Sequence, residues 1–350
     1  MLGVECLVPA LGVIDRIAPT DSLSMSSAPD NAHSPGEHAA PGTPHPALGT
    51  GTQHPAPSTQ HPGVLLMAHG TPASLDEMPA YLMLVRGGRP PSPELVEEMR
   101  HNYAAIGGRS PLTEITLAQA EALRARLGPD VPVAVGMWNW TPFIKDALAS
   151  LAAAGVTRVI GIPLAPQFST LSVLKYHDTA NTALPAGVTI ENVQSYHTHP
   201  LLVEAFAERV RAAQPRADEV VIFSAHALPV RAIESGDRYA DEVSETARAV
   251  ADRAGLESYR QAYQSAGRTP EPWTGPDLAT VLDEESGRGA RRFLVVPIGF
   301  VCDHTEVLFD IDVQAAQIAR ELATALRRTE SLNTSPTFIA LLEDLVRSRL

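Results

Sequence analysis

From residue 63 onward, short apolar runs alternate with longer stretches of helical spacing. The runs are GVLLMA (63–68), VPVAVGM (131–137), RVIGIPLA (158–165), VTIENV (188–193), EVVIFSA (219–225) and RFLVVPIGF (292–300). Near-continuous apolar runs of this length predict strands covered on both faces, the pattern of parallel sheets. Between them LAQAEALRARLG, TPFIKDALASLAAAG, HPLLVEAFAERVRAA and YADEVSETARAVADRAG repeat apolar residues three and four positions apart. Each predicts an amphipathic helix, and Gly128, Gly155 and Gly255 stand where left-handed caps would close three of them. The alternation as a whole predicts an α/β, doubly wound, Rossmann-like architecture.

The pattern also echoes itself. One apolar run leads into Ala68-His69-Gly70-Thr71-Pro72 and a later one into Ala225-His226-Ala227-Leu228-Pro229, each reading A-H-x-x-P. Ile162-Pro163-Leu164-Ala165 is likewise echoed by Val296-Pro297-Ile298-Gly299, in the same order. Two similar domains are expected, 63–205 and 206–350, with parallel sheets facing a central cleft and a C-terminal helix able to cross over. Ligands of open α/β sheets sit beyond the C-terminal strand ends, where His69 and His226 both fall.

Residues 1–62 have a different texture. They hold ten of the thirty prolines, five of the twelve histidines and one basic residue, Arg16. Without apolar periodicity the segment cannot offset the entropy of ordering, so a disordered Pro/His/Gly-rich tail without assigned function is expected. The net charge of −13 disfavours a nucleic-acid partner. The two cysteines, Cys6 and Cys302, cannot make a four-thiolate iron–sulfur or zinc site. No run approaches the ~20 apolar residues of a membrane span, and the first residues lack a basic n-region. A cytoplasmic protein without membrane insertion is expected.

Two elements carry candidate chemistry. His226, flanked by Ser224 and Ala225 at a strand end, can accept a proton or bind a borderline metal. A core histidine bonded to backbone reads equally well from position alone. The segment GFVCDHTEVLFDID starts a helix for which Asp303 is the expected N-cap, three residues before Glu306. Glu306 and Asp310, four apart, then share a face with Gln314 beyond them. Paired carboxylates at that spacing repel unless they serve a cation or relay protons, the alternative being a solvated acidic face. His304 is expected to be structural. The stretch YQSAG…PEPWTGPD describes a rigid loop that either walls a flat ligand or caps the core.

Taken together, LLMAHGTP, NYAAIGGRSPL, GMWNWTPFIKDAL, LAPQFSTLSV, FSAHALP, YQSAGRTPEPWTGPDL and PIGFVCDHTEVLFDID resemble bacterial ferrochelatases, in family order across nearly all of 63–350. The resemblance implies a chelatase-type fold and insertion of Fe²⁺ into a porphyrin, coproporphyrin III more than protoporphyrin IX. It implies His226 and Glu306 as the catalytic, metal-handling pair and Asp310 as an accessory acid. His69, Arg86, Arg89, Ser110 and Thr113 become candidate porphyrin contacts, Arg89 being equally readable as a solvated loop charge. His69 stands where some relatives have Tyr, Gln314 where some have another acid, and Trp138-Asn139 where some have Lys-His. Fe²⁺ is expected as substrate, with no organic cofactor and no iron–sulfur cluster, and transient contact with other haem-pathway enzymes. The competing readings are a cobalt or nickel chelatase of the tetrapyrrole pathway, which lacks the PEPWTGPD and DHTEVLFD segments, and a non-catalytic porphyrin carrier.

Overall fold

The computed structural model describes residues 61–267 and 269–350. The expected tail, up to residue 60, lies outside the described residues. Among the described residues eight strands build two four-stranded sheets in which every strand pairing is parallel. The first contains β1 (Pro62–Ala68), β2 (Val133–Met137), β3 (Arg158–Pro163) and β4 (Thr189–Asn192), in the order β2-β1-β3-β4. The second contains β5 (Glu219–His226), β6 (Arg260–Gln264), β7 (Arg292–Val296) and β8 (Ala325–Arg328), in the order β6-β5-β7-β8. The order is the same in both, so the echoed A-H and P-L/P-I motifs end or follow corresponding strands. The α/β, parallel-sheet reading is correct.

Side chains alternate across each strand, and the alternation decides what each face packs against. Val64, Leu66 and Ala68 of β1 share one large core with Val221, Phe223 and Ala225 of β5 and with Leu294 and Val296 of β7. The opposite face of β1, Leu65 and Met67, packs into a separate core with Ile144, Leu148 and Leu151. Ile222, Phe293 and Val295 likewise form an outer core with Leu278, Val281 and Leu282. One face of each sheet therefore contributes to a common interior. The helices Leu112–Leu127, Pro200–Ala213, Tyr239–Ala254 and Pro336–Arg347 add residues to that same core. The C-terminal helix Pro336–Arg347 packs on both Leu112–Leu127 and Pro200–Ala213. The position expected to divide the halves, 205/206, falls inside Pro200–Ala213.

The pattern reading missed two strands, β6 (RQAYQ) and β8 (ALRR), both at edges of the second sheet. An edge strand pairs on one side only and often carries charge to prevent further pairing, so neither shows an apolar run. Charge also fastens β8: Arg327 donates to both carboxylate oxygens of Glu219, whose side chain is covered, at 2.7 and 2.6 Å. Burial pushes the Glu219 carboxyl up, and the Arg327 hydrogen bonds, the Arg216 N–H and the charges of both arginines together bring it below its ordinary value.

One contact couples the fold to the strand end at His226. Gly299, after β7, lies so close to β5 that a Cβ there would stand 2.8 Å from both Cα and Cβ of Ala225. Only glycine fits without shifting backbone. Gly299→Ala is expected to cost about 1–3 kcal/mol, lowering the thermal midpoint by about 2–4 °C per kcal/mol. Gly287→Ala, where a Cβ meets nothing within 4 Å, should leave the midpoint unchanged or higher. Calorimetry of the two variants beside wild type checks this.

Candidate active site

In parallel sheets all the strand ends of one polarity come together, and here the C-terminal ends of both sheets open on one cavity. Its walls include His69 after β1, Trp138 after β2, Leu164 after β3, His226 at the end of β5, Ser265 after β6 and Gly299 after β7. The space amounts to ≈ 1440 Å³ when the part open to solvent is included. Among the described residues no Lys or Arg lines it.

His226 faces this space with a defined ring orientation. Its Nδ1 lies 2.5 Å from the Ala227 carbonyl. A carbonyl only accepts, so Nδ1 carries the hydrogen and Nε2 is left as the basic nitrogen. Nε2 lies 3.5 Å from Glu306 Oε1. Burial alone would push the Glu306 carboxyl up; His226, when a second proton sits on Nε2, opposes this through its charge and hydrogen bond, and with His304 and His69 brings it down to about 2. Glu306 is therefore a carboxylate at neutral pH.

Glu306 sits in the short helix Thr305–Leu308, capped by His304, whose Nδ1 accepts from the Glu306 N–H at 3.2 Å. This corrects the expected cap, Asp303. Its carboxylate is engaged elsewhere, by Ser331 Oγ at 2.7 Å, Asn333 Nδ2 at 2.9 Å and Arg328 at 3.1 Å. Burial lowers the His304 pKa, which suits a ring whose Nδ1 must accept. The helix then widens into a π turn, Asp310–Ala315, with Gln314 N donating to the Phe309 carbonyl at 2.9 Å. Such widened turns often occur at functional sites. Glu306 and Asp310 both line the cavity, whereas Gln314 does not.

The end of β6 holds both carboxylates in place. Gln264 Nε2 donates to the Glu306 carbonyl at 2.7 Å, while the Gln264 carbonyl accepts from Ala227 N at 2.7 Å. Gln264 thus braces the backbone beside His226 and that of Glu306 together. Ser265 Oγ donates to Asp310 Oδ2. Ser265 has φ +61°, a left-handed conformation unusual for a residue with a Cβ. Burial pushes the Asp310 carboxyl up, the Ser265 bond opposes this, and the Glu306 charge raises it again, to about 7. Asp310 can accordingly hold or release a proton near neutrality.

His69 faces the cavity from the other sheet. Burial lowers its pKa to about 4, so it is neutral at neutral pH. Its ring meets Tyr81 and Trp138 edge-on, at 6.4 and 5.8 Å between centroids, and its Nε2 lies 3.3 Å from Asn139 Nδ2.

The sequence-predicted residues His69, Ser110, His226, Glu306 and Asp310 thus line one cavity. Arg86, Arg89 and Thr113 are not part of that lining. Arg86 is half-buried just after the helix Met78–Val85, Arg89 is exposed with Nε on the Arg86 carbonyl at 3.2 Å, and Thr113 lies in the first turn of Leu112–Leu127. Asn102, Gln167, Tyr103, Gln264 and Ser265 were not foreseen as site residues. Gln264 and Ser265 belong to the stretch expected as a loop that either walls a flat ligand or caps the core; Gln264 instead ends β6, and Ser265 lines the cavity.

The ferrochelatase family profile matches residues 61–350. A ferrochelatase of Deinococcus radiodurans is 44% identical over 301 residues, covering 82% of this chain and 95% of that protein. The coproporphyrin III ferrochelatase of Geobacillus kaustophilus is 39% identical, covering 82% and 95%, and that of Bacillus subtilis 37%, covering 82% and 97%. Among solved structures, Bacillus subtilis SirB with Fe³⁺ superposes with a TM-score of 0.54 at 13% identity, covering 83% of this chain and 95% of that one. The sirohydrochlorin chelatase SirB of Bacillus subtilis subspecies spizizenii, in complex with cobalt, gives 0.52 at 12%, with the same coverage. At such identities the two structures speak to the fold alone.

The elevated Asp310 has a stability signature. Its folded pKa of about 7 lies above the ordinary 3.8, so its contribution is full at low pH and is lost as the pH rises through 7. Glu306, depressed from 4.5 to about 2, loses its contribution only below that window. Asp310→Asn should therefore be more stable than wild type at pH 8, with the difference shrinking toward pH 5. Urea midpoints at the two pH values check this; an equal difference at both would show that Asp310 does not titrate there.

Proposed function

The chain belongs to the ferrochelatase family, and from that premise we propose that its cleft holds the porphyrin while His226 and Glu306 handle the metal and the protons. As a ferrochelatase the protein is a lyase-class chelatase of haem biosynthesis, with porphyrin and Fe²⁺ as substrates. Inserting Fe²⁺ requires two pyrrole N–H protons to leave the macrocycle. The observation that carries the assignment is the His226 Nε2 to Glu306 Oε1 approach of 3.5 Å, with Nδ1 already committed to backbone. The basic nitrogen is the one that faces the cavity, so His226 accepts a pyrrole proton there and Glu306, ionised, stabilises the imidazolium that results. A lining without Lys or Arg presents no cation to oppose an incoming Fe²⁺. Asp310, pushed up to about 7, serves as the accessory acid that carries a proton onward.

His69 belongs to the same proposal as a neutral group facing the porphyrin. For the porphyrin's carboxylates the proposal narrows to neutral donors of the lining, Ser110 and Asn102, since Arg86, Arg89 and Thr113 lie outside it. Coproporphyrin III is the favoured substrate, supported by the relatives of that name at 37–39% identity. The division into halves at 63–205 and 206–350 is likewise proposed, on the repeated strand order. So is a cytoplasmic location; among the described residues no helix is long and apolar enough to cross a membrane.

His226→Ala is expected to lower the anaerobic Fe²⁺ insertion rate by at least about 10²-fold, the low end of general-base effects, while porphyrin still binds. Full activity in this variant would remove His226 from the role. Turnover of coproporphyrin III and protoporphyrin IX by wild type, compared as kcat/KM, should favour the former; the opposite order would overturn the substrate assignment.

A further inference from the structure

Loop 164–172, which follows β3, forms one wall of the cavity through Leu164, Ala165, Gln167, Leu171 and Ser172. It belongs to the first sheet's half of the chain, yet side chains of the second half hold it. Asp237, 6% exposed, precedes the helix Tyr239–Ala254. Its Oδ2 accepts from Ser169 Oγ at 2.9 Å, from Thr170 N at 2.7 Å and from Thr170 Oγ1 at 2.7 Å. Its Oδ1 accepts from Tyr239 N at 3.0 Å, and Tyr239 itself lines the cavity. One turn along the helix, Glu242 accepts from Phe168 N at 2.7 Å and from Ser195 Oγ at 2.7 Å.

A buried carboxylate is costly unless hydrogen bonds surround it. Among the described residues Asp237 has no Lys or Arg partner, and hydroxyls and backbone N–H groups supply all four of its bonds. An apolar residue would fill the place without that cost, so what the carboxylate contributes is a fixed geometry.

We propose that Asp237 is a positioning residue for porphyrin binding, tying the wall formed by loop 164–172 to Tyr239 so that the cavity's shape is set before the porphyrin arrives. It touches no reacting atom, and it acts on the porphyrin through the residues it holds. The inference rests on the cavity being the porphyrin site. Asparagine cannot replace it: with its oxygen toward the loop its amide N–H₂ faces the Tyr239 N–H, and with the amide reversed donors face donors on the loop side.

The test uses full-length wild type, Asp237→Asn and Thr170→Val, the last removing one hydroxyl bond and sparing the backbone N–H. Circular dichroism establishes folding, metal-free coproporphyrin III fluorescence gives the porphyrin Kd, and steady-state assays give KM for porphyrin and for Fe²⁺ separately. In Asp237→Asn the porphyrin Kd and KM should rise about tenfold, the scale of one lost bond to a charged group, with the Fe²⁺ KM within about twofold of wild type. Thr170→Val should show a smaller rise of the same kind. A wild-type porphyrin Kd in folded Asp237→Asn overturns the proposal, as does a rise in Fe²⁺ KM that matches the rise for porphyrin. Should Asp237→Asn not fold, a wild-type Kd in Thr170→Val overturns it. Loss of porphyrin binding in wild type itself would instead overturn the cavity assignment, which separates the two failures.

Discussion

The common core of the two sheets is the constraint on which the site depends. Val64, Leu66 and Ala68 on one strand and Val221, Phe223 and Ala225 on another are removed from water by the same interior. Because all strands within a sheet are parallel, each sheet delivers every C-terminal end on one side, and the shared core brings those two sides to one cavity. Apolar burial of about 25 cal/mol per Å² thereby places His226 and the helix bearing Glu306, and Gln264 links the backbone beside the one to that of the other. At Gly299 this packing brings backbone against backbone at Ala225.

Within the cavity, three titratable groups have environments that push them apart. His69 is half-buried among aromatic rings and is neutral, Glu306 is ionised beside His226, and Asp310 is poised near neutrality. No Lys or Arg of the lining sets these states. Burial and the groups' mutual placement do so, and the placement is held by Gln264, Ser265 and the His304 cap. A surface cluster of the same residues would be screened and would titrate near ordinary values.

Six of the strands, four of the amphipathic helices and the two-fold repeat are legible because buried parallel strands and amphipathic helices leave periodic signatures. The edge strands β6 and β8 are not, since half-paired strands need no apolar run. His226, Glu306 and Asp310 are legible as residues, and their convergence, like the absence of Arg86 and Arg89 from the lining, is tertiary. The cap moved from Asp303 to His304 because Ser331, Asn333 and Arg328, all distant in sequence, occupy the aspartate. Asp237 and Gln264 act through hydrogen bonds to backbone and hydroxyl groups, which carry no pattern along the chain.

The repeated strand order places His69 and His226 at corresponding strand ends, and their surroundings are opposite in electrical character. One is a neutral ring caged by Tyr81 and Trp138; the other is paired with an anion and backed by a second acid. The cavity therefore has sidedness. A flat ligand between two such walls would meet a neutral face on one side and a charged face on the other. A fold built from two like halves has in this way acquired a chemical front and back.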